Sequence, residues 1–255
     1  GRGYGIDLVG SSAEAANRLD TVDLFDVQSQ DIALSRLGDS LVINLANSSD
    51  KLTVDYFFTD SSTASTVKDI KFADGVVWDI EQIKARTLTQ GTAGDDQLSG
   101  SSGADMILAG AGADTVTAGA GNDRIFGEAG DDVLYGDEGD DIIDGGAGND
   151  TLYGGLGADT FRFGRGYGID LVGSSAEAAN RLDTVDLFDV QSQDIALSRL
   201  GDSLVINLAN SSDKLTVDYF FTDSSTASTV KDIKFADGVV WDIEQIKART
   251  LTQGT

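Results

Sequence analysis

The chain has 255 residues, 43 of them acidic and 18 basic, with no His and no Cys, for a net charge of −25. Without Cys or His it holds no disulfide, no thiolate or imidazole catalyst and no ordinary zinc site. Its charge argues against nucleic acid or an anionic membrane as partner and for cations, multivalent ones first. An apolar content of 40% is enough for a folded chain, and no run of about 18 apolar residues is present to cross a bilayer. The chain opens on GRGYGIDLVG with neither a basic n-region nor an apolar h-region, so no signal peptide is expected in it.

Residues 1–92 recur without a change as residues 164–255, an offset of 163. A tandem unit of that length, present here in about one and a half copies, accounts for the pattern. Three segments are expected: a module at 1–90, a Gly-rich middle at 91–172 and the module again at 173–255. Each 92-residue copy carries 14 acids and 8 bases, whereas residues 93–163 carry 15 acids against Arg124 and Arg162, a balance of −13.

In the first copy, SSAEAANRL reads as a short helix with Ser11 and Glu14 as capping box. DIALSRLGDSLVINL places Ile32, Leu34, Leu41, Ile43 and Leu45 on one face of a hairpin around a Gly-Asp turn. KLTVDYFF supplies another strand. VKDIKFADGVVWDIEQIKART gives a strand, an Asp74-Gly75 turn, a strand and a short helix capped by Asp79 and Gln82. Ile70, Phe72, Val76, Trp78, Phe57 and Phe58, with Ile233, Phe235, Val239, Trp241, Phe220 and Phe221 in the second copy, are expected to form a metal-independent core covering a sheet end.

From Gly91 the chain runs through eight unbroken nonapeptides: GTAGDDQLS, GSSGADMIL, AGAGADTVT, AGAGNDRIF, GEAGDDVLY, GDEGDDIID, GGAGNDTLY and GGLGADTFR. Gly stands at position four (Gly94, Gly103, Gly112, Gly121, Gly130, Gly139, Gly148, Gly157) and Asp at position six (Asp96, Asp105, Asp114, Asp123, Asp132, Asp141, Asp150, Asp159). An aliphatic residue or Phe stands at position eight, from Leu98 to Phe161. A flexible linker has no reason to keep this register. Glycines let carbonyls converge on a cation, Asp supplies a hard anionic oxygen, and the position-eight side chains form a thin inward core.

These repeats resemble the RTX, or haemolysin-type, calcium-binding repeat G-G-x-G-x-D-x-U-x. The resemblance implies a parallel β-roll with turns from the GGxGxD half, strands from the xUx half, two nonapeptides per coil and calcium between stacked turns. The fold class is thus all-β, a calcium-binding solenoid flanked by two identical, mainly-β capping modules with short helices.

With each ion between repeats n and n+2, the aspartates pair as Asp96–Asp114, Asp114–Asp132 and Asp132–Asp150 on one edge. On the other they pair as Asp105–Asp123, Asp123–Asp141 and Asp141–Asp159. That makes six ions, about +12 against −13. The degenerate ninth repeat RGYGIDLVG makes a seventh if Asp170 pairs with Asp150, whereas its copy Asp7 has no repeat before it. Ala at position one of two repeats, and Thr or Ser at position two of the first two, bear on affinity. Asp95, Asp131, Asp140, Glu128, Asp137 and Glu138 read as solvated surface. Met106, Leu108, Phe126 and Ile142, outward on the even repeats, are expected to pack on a flanking module or a neighbouring chain.

The run IKFADGVVWDIEQI resembles the haemolysin-type calcium-binding related domain, a companion of RTX repeats in large secreted proteins. Calcium and neighbouring repeat units are then the expected partners. The chain is expected to be a structural segment of a secreted or cell-surface, adhesin-like or surface-layer-like protein, and the RTX resemblance implies export by a type I system. Paired carboxylates alone leave glycoside hydrolysis open, but their nine-residue spacing is better explained by metal ligation, and G-x-x-x-x-G-K-[ST] is absent. No catalysis is expected. A module binding polysaccharide or a cell surface, or a non-catalytic part of a secreted RTX hydrolase, is the alternative.

Overall fold

A computed structural model describes residues 6–9, 20–37, 40–55, 57–58, 67–84, 86–173, 182–222 and 230–251. The Ser11–Glu14 helix and the first copy's Gly38-Asp39 turn lie outside the described residues. Contacts divide the chain into two units, one of residues 1–90 with 103–106, the other of residues 91–102 with 107–255.

The first unit contains β1 (Ile6–Val9), β2 (Asp20–Leu24), β3 (Ile32–Leu37), β4 (Ser40–Leu45), β5 (Lys51–Val54), β6 (Val67–Phe72), β7 (Val77–Asp79), helix α1 (Ile80–Lys84) and β8 (Thr87–Gln90). β1 lies parallel to β5, which continues antiparallel through β4 to β3, and β3 lies parallel to β8. β2 and β6 are parallel, and β7 closes on β6 as a hairpin. The hairpin turn is held by Asp74, whose carboxylate accepts the Ser29 amide at 2.9 Å and the Val76 amide at 3.1 Å, with Gly75 at φ 80°. Asp79 and Gln82 form the reciprocal cap of α1, Gln82 N donating to Asp79 Oδ1 at 2.8 Å and Asp79 N to Gln82 Oε1 at 3.2 Å.

The second unit opens with the roll: β9 (Gln97–Ser99), β10 (Met106–Ala111), β11 (Thr115–Thr117), β12 (Arg124–Ala129), β13 (Val133–Glu138), β14 (Ile142–Asp144), β15 (Thr151–Leu156) and β16 (Thr160–Arg162). Odd repeats pair in parallel with odd repeats, as in Thr115↔Gln97 and Val133↔Thr151, and even with even, as in Arg124↔Ile142 and Ile142↔Thr160. Every step is 18 residues, one coil of two nonapeptides. The triplet alternates out, in, out, because successive strand side chains face opposite sides. Ile107, Val116, Ile125, Leu134, Ile143, Leu152 and Phe161 are each no more than 1% exposed, and Leu98 packs against them half-buried. One large core side chain per strand, with Ala109 and Ala118 buried alongside, is a narrow core. All-β architecture with a parallel roll is therefore present as expected.

The second module continues both sheets. After β17 (Ile169–Val172), the last strand of residues 91–172, it comprises β18 (Asp183–Leu187), β19 (Ile195–Leu200), β20 (Ser203–Leu208), β21 (Lys214–Val217), β22 (Val230–Phe235), β23 (Val240–Asp242) and α2 (Ile243–Leu251). β17 stacks in parallel on β15, and β18 on β16. β21, β20 and β19 then extend one sheet, β22 and β23 the other. The strand edges at this end of the roll are thus covered by paired strands, and Phe163, Val185, Leu187, Ile206 and Ile233 join the roll's core in one cluster.

Two details depart from expectation. Val76 and Val239 are 38% and 37% exposed: each follows the Asp-Gly turn at the hairpin tip, too far out to reach the core beneath Ile70 or Ile233. On the even face, Met106 is 43% exposed, while Leu108, Phe126 and Ile142 are half-buried. A recess of about 400 Å³ between Leu108, Phe126, Arg165 and Tyr167 brings the start of the second module beside that face. Asp144, outward on the same face, is buried and salt-bridged to Arg162 at 2.7 Å.

Candidate metal centres along the roll

The turns between triplets are shaped by close backbone approach. Gly112, Gly121, Gly130, Gly139, Gly148 and Gly157 have φ between 118° and 156°, a region that side chains strain to adopt. A Cβ on Gly130, Gly139, Gly148 or Gly157 would overlap the carbonyl oxygen of the position-four glycine one coil earlier. Gly94 has open space around it. Gly103 and the buried Asp105 fall in residues 103–106, which cluster with the first unit. At position one, a Cβ on Gly127 or Gly136 would strike Oδ2 of Asp132 or Asp141 and the carbonyl of Gly145 or Gly154. Glycine there preserves a small, oxygen-lined space that any side chain would fill.

The position-six aspartates stand in files along the two edges. Asp96 N donates to Asp114 Oδ1 at 2.8 Å, Asp114 N to Asp132 Oδ1 at 2.8 Å, Asp132 N to Asp150 Oδ1 at 2.9 Å and Asp150 N to Asp170 Oδ1 at 3.1 Å. On the other edge Asp123 N donates to Asp141 Oδ1 at 2.8 Å and Asp141 N to Asp159 Oδ1 at 3.0 Å. One oxygen of each carboxylate is thereby fixed by the preceding coil. The second oxygen of Asp114, Asp132, Asp141, Asp150 and Asp170 is buried and has no hydrogen-bond partner. A buried anionic oxygen in that state is costly unless a cation meets it.

The electrostatics register that cost. Burial, joined by neighbouring carboxylates, pushes Asp132 and Asp141 up to about 7, Asp150 to about 6 and Asp170 to about 8. Asp213 gives the contrast. It is also buried, but hydrogen bonds from Ser211, Gly166 N and Gly168 N outweigh burial and hold its carboxyl below the ordinary value. Asp96 is different again: its Oδ2 accepts Thr92 N at 2.6 Å and Thr92 Oγ1 at 2.8 Å, and the residue is half-buried in the first coil.

Three position-five acids are exposed, as read from sequence, and also serve as turn-to-turn braces. Asp95 Oδ1 accepts Ala113 N at 2.9 Å, Asp131 Oδ1 accepts Asn149 N at 2.8 Å and Asp140 Oδ1 accepts Ala158 N at 2.8 Å. Asn122 Oδ1 does the same for Asp140 N at 3.0 Å. Asp or Asn at position five of five repeats was the available signal. Glu128 and Asp137 occupy positive φ, 72° and 71°. The side chain of Asp7 lies outside the described residues.

Among the described residues no three acidic side chains gather as a metal cluster. The orphaned carboxylate oxygens and the turn carbonyls beside them would make an all-oxygen donor set, the kind suited to calcium.

The fold and the donor files define a calcium-binding parallel β-roll. Residues 90–116, 108–143 and 135–169 match the RTX calcium-binding nonapeptide repeat, and residues 41–82 and 204–245 match the haemolysin-type calcium binding protein related domain. The chain thus carries RTX repeats followed and preceded by a copy of that domain, and calcium is its ligand. Among solved structures it is similar to the extracellular lipase LipA from Serratia marcescens, at 17% identity and a TM-score of 0.34, over 93% of this chain and 34% of the lipase. The chain spans about a third of that lipase's length. Among the described residues no helix is long and apolar enough to cross a membrane.

Carboxyls whose folded pKa lies above the unfolded value favour the fold when protonated. Their contribution is complete below about 4 and is lost as pH rises through about 6 to 8. Calcium-free protein is therefore expected to gain strand signal by circular dichroism when taken from pH 8 to pH 4; a signal that only falls on acidification contradicts the burial of these groups.

Proposed function

We propose that the chain is a calcium-clamped structural unit of a larger secreted RTX protein, ordering when it meets extracellular calcium. The observation that carries this reading is the buried, partnerless second oxygen recurring once per coil on Asp114, Asp132, Asp150 and Asp170 and on Asp141. Asp96, Asp105, Asp114, Asp123, Asp132, Asp141, Asp150 and Asp159, with the turn carbonyls around Gly94, Gly103, Gly112, Gly121, Gly130, Gly139, Gly148 and Gly157, hold six ions, and Asp170 a seventh. Bound calcium supplies positive charge between coils, removing both the desolvation of the carboxylates and their mutual repulsion. Extracellular sites of this kind bind with dissociation constants of about 10⁻⁴ to 10⁻³ M, so cytosolic calcium leaves the chain open and export by a type I route precedes folding. Residues 1–90, 91–172 and 173–255 act as module, roll and module. No catalytic step is assigned to the chain, since the file aspartates and the position-five braces are committed to main-chain groups.

Asp132→Asn tests the reading. It keeps the Oδ1 acceptor and removes the charge shared by two coils. By calorimetric titration it is expected to bind at least one calcium fewer, or to weaken two sites by about tenfold or more; an unchanged isotherm opposes the assignment.

One observation favours a second reading, a surface binder. Tyr135 and Tyr153, in register on β13 and β15, stack with centroids 4.9 Å apart and planes 5° apart. They border an open groove of about 630 Å³ with Asp137, Glu138 and Leu156, an aromatic wall with polar acceptors suited to a neutral sugar. Immobilised glycans in millimolar calcium separate the two. A purely structural unit gives no saturable signal, whereas saturable binding lost in Tyr135→Ala assigns the groove.

A further inference from the structure

Both aspartate files run past the last nonapeptide. On one edge the step lengthens to 20 residues, from Asp150 to Asp170; on the other it lengthens to 24, from Asp159 to Asp183. Asp170 and Asp183 both lie between the residues that match the two family models, which end at 169 and resume at 204. No repeat pattern points to Asp183.

Its geometry is nevertheless that of a file member. Asp159 N donates to Asp183 Oδ1 at 2.9 Å, and Asp159 O accepts Thr184 N at 2.8 Å. The same two bonds link Asp141 to Asp159 and Thr160, at 3.0 and 2.7 Å. The register Thr160↔Thr184, Phe161↔Val185 sets Asp183 one residue ahead of the stacked triplet, where each file aspartate stands. It is 2% exposed. At the head of the last repeat, a Cβ on Gly154 would overlap the Asp159 carboxylate, as one on Gly127 or Gly136 would overlap its own repeat's aspartate, so the glycine-kept space persists in this final coil. On the sister edge Asp170, in the equivalent closing place, presents a buried oxygen with no hydrogen-bond partner. The sequence duplicate supplies an internal comparison. Asp20, in a sheet of β2, β6 and β7, is only half-buried; stacking on the roll is what encloses Asp183.

We infer that Asp183 is the closing carboxylate of a further calcium centre between the last repeat and the second flanking module, so that calcium fastens the module to the roll. This rests on the calcium reading above. The module's sheet of β18, β22 and β23 then docks through an ion as well as through packing of Val185 and Leu187, and the even edge holds one more ion than its repeats provide. The 24-residue step shows why a module, and not only a repeat, can end a file: what the centre needs is an aspartate ahead of a strand in parallel register.

The test counts calcium bound to the full chain by equilibrium dialysis or native mass spectrometry, for wild type, Asp183→Asn and Asp20→Asn. One ion fewer in Asp183→Asn, with Asp20→Asn equal to wild type, is the expected result. Equal counts and affinities in wild type and Asp183→Asn overturn the inference while leaving the calcium reading intact, and a wild type that binds no calcium overturns both. Should Asp183→Asn fail to fold, Asp183→Glu, which keeps the charge and displaces it by one methylene, is expected to weaken a single site by about tenfold; a wild-type isotherm for that variant is equally decisive against it.

Discussion

Buried carboxylates stacked at one per coil along two edges, with Asp114, Asp132, Asp150 and Asp170 on one and Asp141 and Asp159 on the other each fixed through one oxygen to the coil before it, are the constraint on which the roll depends. Desolvating an ion costs roughly several kcal/mol even after the protein relaxes, and the like charge of the next coil adds to it. The core offers limited compensation, because each coil contributes only two large inward side chains such as Ile125 and Leu134. On the proposed reading a divalent cation between coils would turn the same charges from an obstacle into the bond that holds neighbouring turns together, and ligand binding and folding would be one equilibrium. Each coil touches only its neighbours, and order is expected to spread along the stack.

The roll does not end in an open edge. Its two sheets pass into the two sheets of the second module, β15 to β17 to β21 and β16 to β18 to β22, with a common core. That module's outer parts use other means: the Asp242–Gln245 cap of α2, the Asp237 turn that accepts Ser192, and Trp241 packed edge-on to Phe235. Those contacts involve no orphaned oxygen, whereas the orphaned file oxygens lie in the coils and at Asp170.

How far the sequence revealed this follows from how local each cause is. The nonapeptide register, the inward position-eight residues and the Asp79–Gln82 cap depend on neighbours a few residues away or on strict periodicity, and all were legible; the 18-residue stacking was implied by the resemblance to RTX repeats. Asp170 was legible as a degenerate repeat. Asp183 was not, since its place is set by a strand pairing across a 24-residue step. Position-five acids are surface, as they looked, but their bracing bonds were not legible because the partners lie a coil away, at Ala113, Asn149 and Ala158. Val76 looked like core by composition, yet sits at a hairpin tip where position along the strand outweighs hydrophobicity. Asp96 stands at position six of a repeat with Thr at position two, and only the structure reveals that this Thr92 occupies its second oxygen.

Far-UV circular dichroism at pH 7.5, recorded in millimolar calcium, after chelation and after calcium is restored, tests the central claim most directly. The account requires a large loss of strand signal on chelation, corresponding to the coils of residues 91–172, and full recovery with calcium. A strand spectrum unaltered by removing every divalent ion would mean that the stacked carboxylates are held by the polypeptide alone.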